Sequence, residues 1–128
     1  MILGVDLGQK TTGLAISDGQ LASPYKTIHH RSISEATLQI LRICDELEVK
    51  KLIVGFVEGK IKRFFQKFVD NFKKTQPQIE IIMWDETLTT RQAQDLQIKL
   101  GIAKSARRSK EHQVAAAIIL QSYLDSHD

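Results

Sequence analysis

The chain has 128 residues, of which 42% are hydrophobic and 26% charged, and its net charge is +3. These values are typical of a folded domain and exclude a disordered or collagen-like chain. We therefore expect one domain over residues 1–128. No apolar run has the length of a bilayer span, and we expect no signal peptide, no membrane partner and a cytoplasmic location.

Three strand-like runs open the chain, at Met1–Leu7, Thr12–Ser17 and Pro24–His30. The second run alternates apolar and polar residues, which is typical of a half-buried strand. It is followed by Asp18-Gly19, a strong signal for a tight turn. Three strands joined by short turns predict an antiparallel meander.

The next segment has helical spacing, and Ser34 is the expected N-cap. Its apolar stripe consists of Leu38, Ile40, Leu41, Ile43, Cys44 and Leu47. Cys44 is the only cysteine, so no disulfide can form within the chain. Its place on the stripe predicts a buried thiol without a nucleophilic role. The continuous apolar run Lys51–Phe56 predicts a strand buried on both faces.

An aromatic helix follows, and we expect its apolar stripe to be core rather than a binding platform. The stripe consists of Ile61, Phe64, Phe65, Phe68, Val69 and Phe72. A strand at Ile79–Trp84 precedes a helix at Leu88–Leu100, which Gly101 would end. The last helix is expected to start near Ser109 and to run through Tyr123. This order predicts an α/β fold, with a mixed five-stranded sheet made of the meander and two parallel strands, covered by helices.

Acidic residues stand at the ends of two predicted central strands. Asp6 lies between Gly4 and Gly8, and Asp85-Glu86 directly follow a strand. A carboxylate on a buried strand is costly unless it is paired or binds a cation. Functional side chains gather at such strand ends in open sheets. The alternatives are structural: a turn cap or salt bridge for Asp6, and a helix cap for Asp85.

These motifs resemble the YqgF family of Holliday-junction-resolvase-like and pre-16S rRNA nuclease proteins, over nearly the whole chain. The matching segments are Gly4-Val5-Asp6-Leu7-Gly8, Gly13-Leu14-Ala15-Ile16-Ser17-Asp18, Ala22-Ser23-Pro24, Ile53-Val54-Gly55, Asp85-Glu86-Thr87-Leu88-Thr89-Thr90 and Ala115-Ala116-Ala117-Ile118-Ile119-Leu120-Gln121. The resemblance implies an RNase-H-like fold and a metal-dependent nuclease, preferably in the processing of the pre-16S rRNA 5′ end. It also implies that Asp6, Glu86 and a residue of the last helix bind Mg²⁺ or Mn²⁺, which would activate the attack on a phosphodiester.

The last-helix position is the main departure from the family pattern, because His112 stands where the family usually has Asp. We expect His112 in the first turn of the helix, where the positive helix end favours a neutral imidazole, and neutral imidazole ligates metals. An imidazole would shift the preference from Mg²⁺ toward Mn²⁺. The alternative is a degraded site. Glu111 is a possible substitute, but it lies about 100° away around a helix, so we expect the two to point apart.

Two further departures concern substrate contacts. Thr87 replaces the family's usual Arg, a role that Arg91 could take, and the segment Gly55–Gly59 is shorter than the family's glycine-rich loop. The residues expected to contact nucleic acid through their positive charge are Lys10, Arg91, Arg107, Arg108 and Lys110. We expect the basic residues of the aromatic helix to form a solvated face instead; they are Lys60, Lys62, Arg63 and Lys67.

Three other functions are compatible with parts of the pattern. The protein could be a nucleic-acid-binding module with weak catalysis. It could also resolve branched DNA as a homodimer, since a four-way junction needs two active sites, whereas an RNA nuclease could be a monomer. The Asp6 loop with Thr11-Thr12-Gly13 also resembles the phosphate loop of actin-like ATPases and sugar kinases. Those proteins need two such domains, and 128 residues supply one.

Overall fold

The computed structural model describes residues 1–57, 63–87, 90–100 and 104–127, with the backbone alone described for 104–110. These residues form five strands and four helices. The strands are β1 (Ile2–Asp6), β2 (Thr11–Ser17), β3 (Ser23–His29), β4 (Lys51–Phe56) and β5 (Glu80–Asp85). The helices are α1 (Ile33–Leu47), α2 (Arg63–Thr75), α3 (Arg91–Leu100) and α4 (Lys104–Ser126).

The strands form one mixed sheet in the order β3-β2-β1-β4-β5. β1 pairs antiparallel with β2, and β2 pairs antiparallel with β3, which is the predicted meander. β4 and β5 extend the other side of β1 in parallel. The predicted α/β architecture is therefore confirmed, and the carboxyl ends of β1, β4 and β5 meet at one edge of the sheet.

Alternation along the strands divides the core into two clusters. Leu3 and Val5 of β1, with Leu14 of β2, pack in the cluster that includes α1 and α2. Phe68 and Phe72 of α2 are fully buried in that cluster, so the aromatic stripe is core as predicted. Cys44 is buried there too, and its burial raises the pKa of the thiol to about 12.

The opposite face of the sheet receives α4, whose small buried residues pack among Ala15, Ile53 and the neighbouring apolar side chains. Glycines on three adjacent strands lie directly under this helix. A Cβ on Gly13 of β2 would stand 1.8 Å from the backbone oxygen of His112, and one on Gly4 of β1 would stand 2.9 Å from that of Ala116. We call Gly4, Gly13 and Gly55 the glycine seat. The missing side chains let α4 approach the strands closely.

The predicted helix starts differ from the structure. Helix α4 begins at Lys104 and not near Ser109. Helix α1 is capped by Ser32 and not by Ser34: the Ser32 hydroxyl accepts the backbone N–H of Glu35 at 3.1 Å. Leu38, expected on the buried stripe, is 57% exposed.

Helix α3 begins at Arg91, after a cap in which the Thr90 hydroxyl accepts the N–H of Ala93. The predicted start at Leu88, the stop at Gly101 and the first apolar residue of the aromatic helix, Ile61, lie outside the described residues. Within the part of the chain that is described, no helix combines the length and apolar character that crossing a membrane requires.

The glycine seat is testable by adding single methyl groups. We expect Gly13→Ala to lower the free energy of unfolding by about 3 kcal/mol, the upper range for overpacking, because the new Cβ meets helix backbone. Gly55→Ala is the matched control. Its Cβ would meet the Cδ1 of Ile119 at 2.4 Å, a side-chain atom that can move aside. Urea unfolding measures both, and an equal or smaller loss for Gly13→Ala would contradict the seat.

Candidate active site

A pocket of about 350 Å³ opens where the ends of β1 and β5 meet helices α3 and α4. Its polar lining consists of Asp6, Glu86, Gln97 and Glu111. Its apolar wall is the α4 surface that includes Ala115 and Ile118. The pocket therefore collects three carboxyl groups from three separate parts of the chain.

Asp6 reaches this pocket because of strand alternation. Residues two apart on a strand share a face, and Gly4 of β1 faces α4, so Asp6 faces α4 as well. Burial raises the pKa of Asp6 above its ordinary value, and the negative charge of Glu111 raises it further. The nearby His112 opposes that rise. Asp6 is thus a desolvated carboxyl group with a like charge beside it.

Glu86 follows β5 on the same face, two residues beyond Trp84, which packs in the α4 cluster. Its backbone N–H donates to the oxygen of Phe56 at 2.8 Å and fixes the start of the turn. Partial burial raises the pKa of Glu86, and the charges of Asp6 and Asp85 add to the rise. The charge of Asp6 therefore acts on Glu86 across the pocket.

Asp85 has a structural role. Its carboxylate accepts the N–H and the hydroxyl of Thr87, at 2.9 and 2.7 Å, and these bonds lower the pKa of Asp85. It caps this turn and not the helix, which begins later, at Arg91. Thr87, found where the family usually has Arg, holds the turn that carries Glu86.

Helix α4 brings two polar residues to the site. Glu111 lines the pocket. His112 does not stand among the pocket-lining residues, but its Nδ1 lies 3.6 Å from Oδ2 of Asp6, an ion-pair distance longer than a good hydrogen bond. The two side chains point in different directions, as expected, and each lies in the surroundings of Asp6.

The helix end does not act on His112. Because α4 begins at Lys104, His112 lies in its third turn and not in its first. The macrodipole falls off within the first turn. The expected placement of His112 beside a positive helix end is therefore wrong.

The donor set of the pocket suits a hard divalent cation. Carboxylate oxygens are the ligands that Mg²⁺ prefers, and Mg²⁺ is commonly held by one or two carboxylates together with water and substrate phosphates. Among the described residues, no three His, Cys, Asp or Glu side chains are close enough to hold an ion by themselves. The residues fit a cation that completes its coordination with water and phosphate, as Asp6 and Glu86 would allow.

A buried hydrogen bond, which no sequence pattern indicates, braces the loop after Asp6. Nε2 of His30 lies 2.8 Å from the hydroxyl oxygen of Thr12, which also accepts the N–H of Gly8 at 3.5 Å. The backbone N–H of His30 donates to the backbone oxygen of Lys10. Burial lowers the pKa of His30, which favours its neutral form. The loop that carries Lys10 is thereby tied to the end of β3.

The predicted nucleic-acid contacts are only partly placed. Lys10 is exposed in the loop between β1 and β2, and Arg91 is exposed at the first residue of α3. The side chains of Arg107, Arg108 and Lys110 lie outside the described residues. Two of the predicted basic side chains are therefore available to solvent in the described part of the chain.

Comparison with known proteins assigns these features to a family. The model of the RuvX family, described as Holliday junction resolvase, matches residues 1–126. An Acetivibrio thermocellus protein named "Putative pre-16S rRNA nuclease" is 40% identical, covering 98% of this chain and 95% of its own. A Clostridium tetani protein of the same name is 38% identical, covering 98% and 96%.

Solved structures show the same fold at low sequence identity. The fowlpox virus Holliday junction resolvase superposes with a TM-score of 0.62 at 15% identity and 98% coverage of both chains. Thermus thermophilus RuvC, in complex with a Holliday junction substrate, gives 0.59 at 11% identity, covering 98% of this chain and 96% of its own. These likenesses confirm the RNase-H-like fold of the resolvases.

The raised pKa of Asp6 predicts a stability change in metal-free buffer. A carboxyl group whose pKa is higher in the folded than in the unfolded state destabilises the fold once the pH exceeds both values. Asp6→Asn should therefore raise the Tm at pH 7, and the gain should vanish as the pH falls to about 3, near or below the ordinary pKa of Asp. Thermal unfolding with EDTA measures this, with the exposed Asp95→Asn as control. A lower Tm for Asp6→Asn at pH 7 would contradict it.

Proposed function

Because this chain belongs to the RuvX family of Holliday junction resolvases, we propose that it is a divalent-metal-dependent endonuclease acting on structured RNA at the 5′ end of 16S rRNA precursors. The observation that carries the proposal is the pocket in which Asp6 and Glu86 converge from two parallel strands. A divalent cation would offset the burial of Asp6 and the charge that Asp6 exerts on Glu86.

The residues in and around the pocket would have separate roles in the hydrolysis of a phosphodiester. Asp6 and Glu86 would hold Mg²⁺ or Mn²⁺, which supplies Lewis acidity toward phosphate oxygens when bound. The apolar wall at Ala115 and Ile118 excludes water from one side and strengthens the electrostatic interactions in the pocket. Lys10 and Arg91 would attract the flanking phosphates, as exposed cations near a polyanion do.

RNA is the favoured substrate because the relatives with pre-16S rRNA nuclease names are 38–40% identical over nearly the whole chain. The resolvases of known structure are only 11–15% identical. An rRNA precursor as substrate would also place the activity in the cytoplasm. A resolvase acting as a homodimer on branched DNA, and a binding module with weak catalysis, are the competing functions.

The test is cleavage of labelled substrates by the whole protein. A precursor rRNA with its 5′ extension, single-stranded RNA and a four-way DNA junction would be incubated with Mg²⁺ or Mn²⁺. We expect cleavage of the precursor. Asp6→Asn and Glu86→Gln should each reduce the rate at least about a hundredfold, since even residues that only brace a metal ligand contribute 10- to 100-fold.

The exposed Asp95→Asn is the matched control and should cut at the wild-type rate. Binding of all three nucleic acids without cleavage under either metal would overturn the nuclease in favour of a binding module. Faster cutting of the four-way junction than of the precursor would overturn RNA as the substrate.

The role of Lys10 predicts a change in salt dependence. Lys10→Gln should weaken RNA binding and reduce the slope of log K against log salt by about 0.7, the value for one lost contact to a single strand. Lys67→Gln is the control, because Lys67 is exposed on α2, which packs on the opposite face of the sheet. Titrations of fluorescent RNA at several salt concentrations measure both slopes, and an unchanged slope for Lys10→Gln would place Lys10 outside the interface.

A further inference from the structure

Helix α4 presents two neighbouring residues near Asp6, and the structure distinguishes between them. Glu111 belongs to the pocket wall, together with Val114, Ala115 and Ile118. These positions follow the three- and four-residue spacing of a single helix face. Glu111 is therefore the polar end of the stripe that faces the pocket.

His112 lies on the adjacent stripe of the helix, against the sheet. Its backbone oxygen is the atom that a Cβ on Gly13 would meet, and Gly13 pairs with Asp6 across β1 and β2. This contact places His112 beside Asp6, where Nδ1 of the imidazole faces Oδ2 of the carboxylate. His112 thus flanks Asp6 from the β2 side, while the pocket opens on the Glu111 side.

We propose that Glu111, and not His112, supplies the third metal-binding group beside Asp6 and Glu86, and that His112 is a positioning residue for Asp6. The inference rests on the proposed nuclease function. It assigns an all-oxygen protein ligand set to the site, which suits Mg²⁺, whereas an imidazole ligand would shift the preference toward transition metals.

The charge of the pocket supports this assignment. With His112 in place of the usual Asp, Asp6 and Glu86 alone bring two negative charges. Glu111 restores the third, and its charge already acts on Asp6. Among the described residues, Asp6, Glu86 and Glu111 do not lie close enough together to hold an ion as they stand. Glu111 is exposed, and its side chain would turn onto an ion that Asp6 and Glu86 hold.

Metal binding without nucleic acid tests the assignment directly. Titration calorimetry with MgCl₂ and with MnCl₂ would compare the wild type with Glu111→Gln and His112→Gln. Glu111→Gln should weaken Mg²⁺ binding at least about tenfold, as expected for a lost ligand, while His112→Gln should change it less than about threefold. Glu46→Gln is the matched control, an exposed glutamate on α1, across the sheet from the pocket.

The opposite ranking would overturn the proposal: Mg²⁺ or Mn²⁺ binding lost in His112→Gln and unchanged in Glu111→Gln. Equal losses in the two variants would overturn it as well. Far-UV circular dichroism and the Tm in EDTA verify that each variant folds. If the wild type cuts RNA and Asp6→Asn does not, yet Glu111→Gln binds Mg²⁺ normally, this inference fails while the nuclease stands. If the wild type neither cuts nor binds either metal, the nuclease itself fails.

Discussion

The close contact between helix α4 and the glycine seat is the constraint on which the site depends. A side chain at Gly13 would occupy the space of the His112 backbone, and one at Gly4 that of Ala116. Interiors are packed densely, so an added methyl group there has to move the helix. The seat therefore fixes both the depth and the rotation of α4, and with them the distance from Glu111 and His112 to Asp6.

The arrangement that favours cation binding destabilises the metal-free fold. The seat holds carboxyl groups together in a partly desolvated pocket, and the pKa values of Asp6 and Glu86 are raised as a result. Among the described side chains, His112 forms a long ion pair with Asp6. Carboxyl groups with raised pKa values are expected at a site that binds a charged ligand. A cation would relieve the repulsion, and the phosphate backbone of a nucleic acid would complete its coordination.

The sequence predicted the sheet, its order of elements and the place of Asp6, because strand alternation and the family motifs carry that information locally. It placed the start of α4 wrongly, since residues 104–110 are mostly polar and show no apolar stripe. With a start near Ser109, His112 would lie in the first turn, close to the positive helix end. In the structure it lies in the third turn. The angle around the helix separates Glu111 from His112 but does not show which of the two faces the pocket. The distance between a helix and its sheet depends on tertiary packing, which sequence patterns do not show. The pocket lies on the flank of α4, where Glu111 and His112 both lie near Asp6.

Anomalous diffraction from crystals soaked in MnCl₂ locates the metal independently of activity. We expect an anomalous peak in the pocket, coordinated by oxygens of Asp6, Glu86 and Glu111, with α4 still packed on Gly13. The imidazole of His112 would remain beside Asp6 without touching the ion. A peak coordinated by His112, with Glu111 turned to solvent, would show that the imidazole and not Glu111 is the third ligand.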